Sequence, residues 1–151
     1  MFEVNGVLVG FAQYSIGDSD AMPMNTRLVA HVVRALGLRA SLLAPRLAAL
    51  KAVRLAVPPE SLSIAEIHID PTQRGSGLGG RLLQWLEDEA IRQHCPMLSL
   101  VTDIENPARR LYERHGFIVR DSTTDSRYER YTGRTGRVLM TKALAGHIDE
   151  V

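Results

Sequence analysis

The stretch "EIHIDPTQRGSGLGG", residues 66–80, joins an isoleucine-rich strand to the start of a long predicted helix. Its glycines fit the dinucleotide-binding pattern G-x-G-x-x-G. That fold needs the strand to run almost directly into the first glycine, with an acidic residue about 20 positions later to hold the ribose. Here "DPTQR" separates the strand from Gly75, and Cys95 stands where the acid would be. The pattern therefore does not predict a bound NAD.

A phosphate-binding turn is the alternative that the same stretch supports. Arg74 and closely spaced glycines open the helix, whose first amide groups have no intrahelical partners. Such amides and the positive end of the helix dipole attract anions, and glycines let a diphosphate approach the backbone closely. No Gly-Lys-Ser/Thr follows, so the stretch is not a Walker A loop. A tight strand-to-helix turn without a ligand stays open as the other interpretation.

Composition limits the class of protein. The chain has 151 residues, 45% of them hydrophobic, and a formal net charge of +1. These values predict a single soluble domain over residues 1–151 and no nucleic-acid partner, because 18 basic residues face 17 acidic ones. Cys95 is the only cysteine and the start of the chain does not resemble a signal peptide, so we expect a cytoplasmic protein. The five histidines never share a helix at i, i+4 spacing, so we predict no metal site.

Hydrophobic periodicity predicts a hairpin followed by a helical insert. Asn5-Gly6 separates two apolar stretches and favours a tight turn. The insert, residues 17–57, has apolar residues at helical spacing that predict a first helix and then a second over residues 41–57, kinked or restarted at Pro45. The second helix carries three leucines on one side, Leu43, Leu47 and Leu50. We expect them to pack on the sheet; the alternative is a basic amphipathic segment on an anionic membrane surface.

The second half of the chain alternates strands and helices. "SIAEIHID" and "MLSLVTD" are predicted strands, and "GGRLLQWLEDEAIRQ" has the most regular helical pattern. "NPARRLYERHG" predicts a short helix that begins at the cap residue Asn106 and ends at Gly116. "FIV" and "RVLMTKAL" supply two final strands, separated by a polar stretch from Arg120 to Gly136.

Two motifs together resemble a known family. "RGSGLG" from Arg74 matches R/Q-x-x-G-x-G/A, and "NPARRLYERHGF" from Asn106 reads N-x-A-x-x-L-Y-x-x-x-G-F, which is the pattern N-x-x-A-x-x-L-Y-x-x-x-G-F with one residue fewer after the asparagine. With the strands around them, over about residues 1–16 and 60–142, they resemble the GNAT superfamily of N-acetyltransferases. The resemblance implies an α+β fold, a mixed and mostly antiparallel twisted sheet flanked by helices, in which residues 60–142 bind acetyl-CoA.

The resemblance also implies which residues bind acetyl-CoA as the co-substrate. The strand before the turn offers backbone groups to pantetheine, and its matching residues are Ile67, His68 and Ile69. The turn binds the pyrophosphate, and its matching residues are Arg74, Gly75, Ser76, Gly77, Leu78 and Gly79. A strand splayed from its neighbour has unpaired amides that a peptide-like arm can bind, which agrees with this assignment. Asn106 matches a position that contacts the cofactor or only caps the second helix of the motif.

The implied reaction is direct attack of a primary amine on the thioester. Tyr112 matches the family's tyrosine acid, which protonates the departing thiolate; the alternative is an aromatic side chain that packs beside Leu111.

A base must deprotonate the amine, whose free pKa is about 10.4 for a lysine-like group. Strand alternation in "IAEIHID" puts Glu66 and His68 on one face, away from Ala65, Ile67 and Ile69. We predict Glu66 as the base. Pairing of Glu66 with an arginine stays open as the alternative.

The chain departs from the family at its start. Members usually begin with a strand and two helices that build much of the acceptor pocket, whereas this chain opens at the equivalent of the second strand and carries the insert. Either the insert replaces the missing pocket wall, or a second subunit supplies it, or the chain binds coenzyme without turnover. Without the first strand the hairpin becomes a sheet edge, and an uncovered edge favours pairing, so we predict a homodimer.

These observations predict an acetyl-CoA-dependent N-acetyltransferase that acts on a primary amine of a small molecule or peptide, with no membrane partner. One alternative is a catalytically inactive module that binds coenzyme A and regulates another protein. The other is a helical interaction protein whose glycine turn has no ligand.

Overall fold

The computed structural model describes residues 2–4, 7–17, 34, 35, 37 and 44–144. The strands are β1 (Phe2–Val4), β2 (Val7–Ile16), β3 (Ser61–Ile69), β4 (Met97–Asp103), β5 (Ile118–Thr124) and β6 (Gly136–Ala143). The helices are α1 (Ala44–Ala52), α2 (Leu78–Arg92), α3 (Arg109–Arg114) and α4 (Ser126–Thr132), and a 3-10 turn covers Pro71–Gln73. The predicted turn at Asn5-Gly6 and most of the first predicted helix of the insert lie outside the described residues.

In this part of the chain the strands form one six-stranded sheet in the order β1-β2-β3-β4-β6-β5. β3 and β4 are parallel, and the other neighbouring pairs are antiparallel. A parallel pair needs a crossover connection, which α2 supplies between β3 and β4. The predicted mixed, mostly antiparallel sheet with helices is confirmed.

Helix α2 forms because its apolar side chains recur at helical spacing and cover one side of the sheet. Leu82, Leu83, Leu86 and Ala90 are buried, whereas Asp88 on the opposite side of the helix is exposed. Each buried leucine contributes roughly 1.5–3 kcal/mol by leaving water. The main core under α2 contains Leu62, Ile64, Leu83, Leu86, Ala90, Cys95, Leu98, Leu100, Tyr112, Phe117, Val138 and Met140.

The other side of the sheet, which we call the back face, has a separate apolar cluster. Val101 of β4 and Leu139 of β6 alternate with the main-core residues and therefore point the opposite way. Leu55 and Val57, from the segment between α1 and β3, pack against them. The segment that follows the insert helix thus crosses the back face.

A β-bulge interrupts β3 in its middle. Gln13 of β2 pairs with Glu66, but the next residue, Tyr14, pairs with Ile64, so Ala65 is an extra residue in β3. Beyond it, Ile67 and Ile69 are half-buried and Glu66 and His68 are exposed, which agrees with the predicted alternation. Ala65 itself is exposed and does not share the burial of the isoleucines, because the bulge removes it from the regular alternation.

Helix α1 is shorter than predicted and buries a different face. It ends at Ala52, with Pro45 in its first turn, where its missing amide hydrogen is tolerated. Ala49 and Val53 are buried against Tyr128 of α4.

The expectation that the leucines of this helix pack on the sheet is wrong for the two described ones. Leu47 and Leu50 are 42% and 51% exposed. At 3.6 residues per turn they lie roughly 160° and 100° around the helix from Ala49. The small Ala49 lets α1 approach Tyr128 closely, so the leucines point outward. Leu43 lies outside the described residues.

Two elements differ from the predicted pattern at the C-terminal end. β5 extends to Thr124, well beyond "FIV", and the polar stretch that follows contains helix α4. Asp125 caps α4 by accepting hydrogen bonds from the backbone amides of Arg127 and Tyr128. Among the helices that the structure describes, none has the length and apolar character needed to span a bilayer.

Candidate active site

A split between β3 and β4 forms the centre of the site. The two parallel strands pair from Ser61 and Met97 only as far as Ile64 and Leu100. β3 nevertheless continues to Ile69 and β4 to Asp103. The part of β3 after the bulge therefore has no paired neighbour on its β4 side, and backbone groups there are open to a ligand.

The turn after β3 is held in shape by local hydrogen bonds and by glycine. The carboxylate of Asp70 accepts a bond of 2.8 Å from the Thr72 amide and another of 2.5 Å from the Thr72 hydroxyl, and these bonds lower the pKa of Asp70. Gly75 and Gly77 both have φ of +82°, a conformation that is costly for residues with a side chain. Two glycines at this spacing are thus a geometric requirement of the turn.

Backbone amides at the start of α2 have no acceptor in the described part of the chain. Arg74 and Ser76 donate long bonds of 3.4 Å to Pro71 and Gln73, and the first intrahelical donor is Arg81. The amides without an acceptor are those of Gly75, Gly77, Leu78, Gly79 and Gly80. An added Cβ on Gly75 or Gly77 would meet no atom within 4 Å, so the space in front of these amides is open. Free amides at the positive end of a 15-residue helix form an anion-binding arrangement.

A cleft of about 630 Å³ joins this turn to the split and to α3. Of the twelve residues predicted from the sequence, ten line it, namely Ile67, His68, Ile69, Arg74, Gly75, Gly77, Leu78, Gly79, Asn106 and Tyr112. Ser76 does not; it is exposed, and its hydroxyl donates to the Gln73 carbonyl at 2.6 Å. Glu66 does not line the cleft either; its side chain lies on the face of β3 opposite Ile67 and Ile69.

Gly79 has a packing function that the motif did not reveal. An added Cβ would lie 2.8 Å from Leu111 Cδ2 and 3.2 Å from Ile69 Cδ1. A side chain at this position would force the ends of Leu111 and Ile69 to move, so glycine lets the first turn of α2 pack closely on β3 and α3. The close contact brings Tyr112, the residue after Leu111, to the cleft wall.

Tyr112 is 8% exposed and faces the cleft from α3. Its ring packs at 6.0 Å from that of Phe117. Burial raises the pKa of its phenol above the ordinary value of 10.0, so the group carries its proton at neutral pH. The hydroxyl has no hydrogen-bond partner in the described part of the chain and is free to donate to a ligand. Both the packing and the donor functions suggested by the sequence are compatible with this position.

Asn106 borders the cleft from the turn before α3; the helix begins at Arg109 and not directly after Asn106 as predicted. Its side-chain oxygen accepts a hydrogen bond of 2.9 Å from the Ala108 amide, and its amide group donates to the Thr102 hydroxyl at 2.6 Å. These bonds fix the loop between β4 and α3.

Glu66 and His68 lie side by side on the exposed part of β3. The His68 ring stacks on Phe11 of β2, with centroids 5.5 Å apart. The predicted alternative for Glu66, a pair with an arginine, does not occur among the described residues. Its carboxylate is therefore available beside the split.

Sequence reasoning missed two groups near the cleft. Arg114 lines it together with Leu111, three residues earlier, and this helical spacing could have identified it. Asp103 at the end of β4 is bonded to Tyr128 of α4, 25 positions away, and no local pattern links the two residues. No group of three or more metal-ligating side chains occurs among the described residues.

Comparison with known proteins assigns the chain to a family. The sequence model of the acetyltransferase (GNAT) family matches residues 1–117. N-alpha-acetyltransferase 30 of Saccharomyces cerevisiae (strain ATCC 204508 / S288c) is 38% identical over 56 residues, which are 36% of this chain and 32% of the yeast protein. The chain thus matches about a third of the length of that curated relative.

Solved structures agree with the sequence match. The crystal structure of an acetyltransferase superimposes with a TM-score of 0.58 at 26% identity, over 95% of this chain and 68% of that one. The ribosomal-protein-S18-alanine N-acetyltransferase from Escherichia coli superimposes with a TM-score of 0.50 at 27% identity, over 64% of this chain and 63% of that one. The family match covers most of the sequence, including the turn and the motif that contains Tyr112, so this chain belongs to the acetyltransferase (GNAT) family.

Proposed function

We propose that the protein transfers an acetyl group from acetyl-CoA to a primary amine. The observation that carries this proposal is the row of unpaired amides at the start of α2, which borders the same cleft as the split in the sheet. An anion site next to open strand backbone suits a ligand that has a diphosphate followed by an amide-containing arm, and coenzyme A has this order of groups. Bound acetyl-CoA would supply the activated thioester.

Different parts of the cleft bind different parts of the coenzyme. Amides of the turn, Gly75 to Gly79, hold the diphosphate, and the exposed guanidinium of Arg74 adds positive charge. Backbone groups of Ile67, His68 and Ile69 bond the pantetheine arm where β4 has moved away. Asn106 keeps the loop before α3 in place at the edge of the cleft.

Tyr112 and Glu66 move the protons of the reaction. The amine nitrogen forms a bond to the acetyl carbon while the bond from that carbon to sulfur breaks. Tyr112 gives its phenolic proton to the departing sulfur, since its hydroxyl is protonated, unpaired and on the cleft wall. Glu66, on the back-face side of the split, takes a proton from the amine, directly or through water.

The acceptor is a primary amine of a peptide or a small molecule. The names of two relatives point first to peptides, since one is an N-alpha-acetyltransferase and the other acts on an alanine of a ribosomal protein. The insert supplies the acceptor wall in this proposal. Its helix α1 packs on α4, beside the back-face end of the split.

Two variants with the same backbone strain test the coenzyme site. Gly77→Ala puts a side chain at φ +82° in the turn, whereas Gly133→Ala does so at φ +71° at the end of α4, away from the cleft. Calorimetry should show saturable acetyl-CoA binding to the wild type and to Gly133→Ala. Binding should be at least about tenfold weaker for Gly77→Ala, because strain at this position displaces the turn amides, and one hydrogen bond to a charged group contributes about 1.5–3 kcal/mol. Equal binding by all three proteins would contradict the assignment of the turn.

Release of free thiol in the presence of an amine panel then separates an enzyme from an inactive coenzyme-binding module. The panel contains peptides with free amino termini, diamines and monoamines. Acetyl-CoA binding without thiol release above background would favour the inactive module.

The cytoplasmic location and the homodimer predicted from the sequence stay predictions. A buried free thiol at Cys95 is compatible with a reducing compartment. The edge strand β5 exposes Ile118 and Val119, by 67% and 45%, which supports pairing of this edge with a second copy.

A further inference from the structure

Asp103 is a carboxylate on the back face that the proposed chemistry does not use. Asp103 ends β4, three residues after the last residue paired with β3, so it lies at the mouth of the split. It alternates with Val101 of the back-face cluster and therefore points to that side. Glu66 points to the same side from β3. The two carboxylates therefore lie on the same face of the sheet, one on each side of the split.

Asp103 is held in place by a buried tyrosine. The hydroxyl of Tyr128, a residue only 6% exposed, donates a hydrogen bond of 2.9 Å to Asp103 Oδ1. Burial first, and then this bond to the carboxylate, raise the pKa of Tyr128, which therefore remains a donor at neutral pH. One oxygen of Asp103 is thus fixed, and the carboxylate is still 32% exposed.

Helix α1 of the insert packs against Tyr128. Ala49 of α1 and Val53, the residue after the helix, are 1% and 0% exposed and form a cluster with Tyr128. On the neighbouring turn, the Arg46 guanidinium lies 5.8 Å from the centre of the Tyr131 ring. Asp103 is therefore positioned by α4, and α4 is positioned by α1.

The basic groups near Asp103 do not neutralise it fully. Arg134 Nε lies 3.7 Å from Oδ2, and the Arg134 side chain is 49% exposed. An exposed pair at this distance contributes little and is screened by water and salt. Arg137 is the register partner of Asp103 on β6. Oδ2 is therefore only loosely paired, in a side chain that is 32% exposed, and a cation from solvent can compete with Arg134 for it.

We propose, building on the acetyl transfer proposed above, that Asp103 binds a positively charged group of the acceptor that lies beside the reacting amine, and that Tyr128 is the positioning residue for it. The reacting amine must be neutral to attack, so it offers no positive charge to a carboxylate that is not the base. Such a carboxylate can instead bind a second group of the acceptor that stays positively charged during the reaction. The acceptor class is therefore an amine with a second cationic group nearby, such as a diamine or a peptide with lysine next to its free amino terminus.

The test compares acceptors that differ only in the second charge. The pairs are 1,4-diaminobutane with butylamine, and two amidated hexapeptides with lysine or norleucine as the second residue. The wild type should favour the charged member of a pair. Asp103→Asn keeps an oxygen for the Tyr128 bond but loses the charge, so it should raise KM for the charged member about tenfold and leave KM for the neutral member and kcat near wild type.

Tyr128→Phe should raise the same KM by a smaller factor, while Tyr131→Phe, an exposed tyrosine of the same helix, should not. A merely structural function for Asp103 predicts equal losses for charged and neutral acceptors, together with a lower melting temperature. Equal losses, or a preference for charge that survives in Asp103→Asn, would overturn the inference.

Calorimetry with protein saturated with coenzyme A gives a second readout if no pair is acetylated. The diamine should then bind more weakly to Asp103→Asn than to the wild type, and no saturable diamine heat with wild type would also overturn the inference. Lack of acetyl-CoA binding by wild type would instead contradict the proposed function itself.

Discussion

Tyr112 combines a ring that is largely buried with a hydroxyl that reaches the surface of the cleft. Tyr112 is 8% exposed, packs on Phe117 and has no partner for its hydroxyl in the described part of the chain. A donor kept in this state at a cleft wall is suited to a group that appears only during the reaction.

Replacing Tyr112 by Phe removes the donor and keeps the packing. We expect kcat to fall by about 10²-fold, since a positioned general acid contributes typically 10²–10⁴-fold, and acetyl-CoA binding to stay unchanged. Thiol release at saturating substrates measures the first and calorimetry the second. Tyr14→Phe is the matched control, because Tyr14 interacts with Glu89 outside the cleft. A variant with wild-type kcat would show that Tyr112 serves only to pack.

Single residues of the site were predictable where the chemistry depends on local spacing. Gly75 and Gly77 have positive φ, which favours glycine, and Tyr112 lies a few residues after Asn106. The turn and the helix that contains Tyr112 therefore each appear in the sequence as a short motif. The exposure of Ala65 was not predictable, because a bulge depends on how β2 pairs with β3. The hydrogen bond from Tyr128 to Asp103 was also not predictable, because it joins residues that only the folded sheet brings together.

At the scale of elements, α4 shows how a short helix can depend on its cap. Its seven residues include charged and polar ones without an apolar stripe, so periodicity gives no signal, although Asp125 before it and Gly133 after it are ordinary start and stop residues. The Asp125 carboxylate accepts from two backbone amides and from the Arg127 guanidinium. First the Arg127 bond, and then the backbone bonds, lower the pKa of Asp125 from 3.8 to about 2.

This lowered pKa predicts how α4 responds to acid. Since the folded state prefers the ionised form, its stabilising contribution is complete above the ordinary pKa of 3.8 and is lost as the pH falls through about 2. Asp125→Asn should therefore lower the melting temperature at pH 7, and the difference from wild type should shrink as the pH falls from about 4 to about 2. Thermal unfolding followed by circular dichroism measures it. Asp88→Asn, on the exposed side of α2, is the control. A difference that is constant with pH would contradict the charge-based cap.

Helix α1 shows the limit of composition as a guide. Three leucines predicted a face that packs on the sheet, yet Ala49 and Val53 make the contact and Leu47 and Leu50 are exposed. The identity of the partner decides which face is buried, and here the partner is Tyr128, in a helix that periodicity did not reveal. The buried face of α1 and the presence of α4 were therefore both missed, because the first depends on the second.

At the scale of the whole molecule, the sheet separates the cleft from the back face, and the split between β3 and β4 lies between them. The turn, α2 and α3 form the cleft on the side of the main core, and α1 and α4 lie beside the back-face end of the same split. The mixed, mostly antiparallel sheet followed from the resemblance, since the motifs fix the elements around them, whereas the strand order comes from the structure. The packing of α1 on α4 did not follow, because no sequence pattern in residues 17–57 indicates which element the insert contacts.

The central claim is that the free amides after β3 bind the diphosphate of acetyl-CoA. The most direct measurement is a titration of labelled protein with acetyl-CoA, followed through the backbone amide signals of Gly75, Gly77 and Leu78, with acetyl-pantetheine, which lacks the diphosphate, as the control. We predict large, saturable shifts of these three signals with acetyl-CoA and much smaller ones with the control. Saturation that leaves these signals in place, or no saturation at all, would contradict the account.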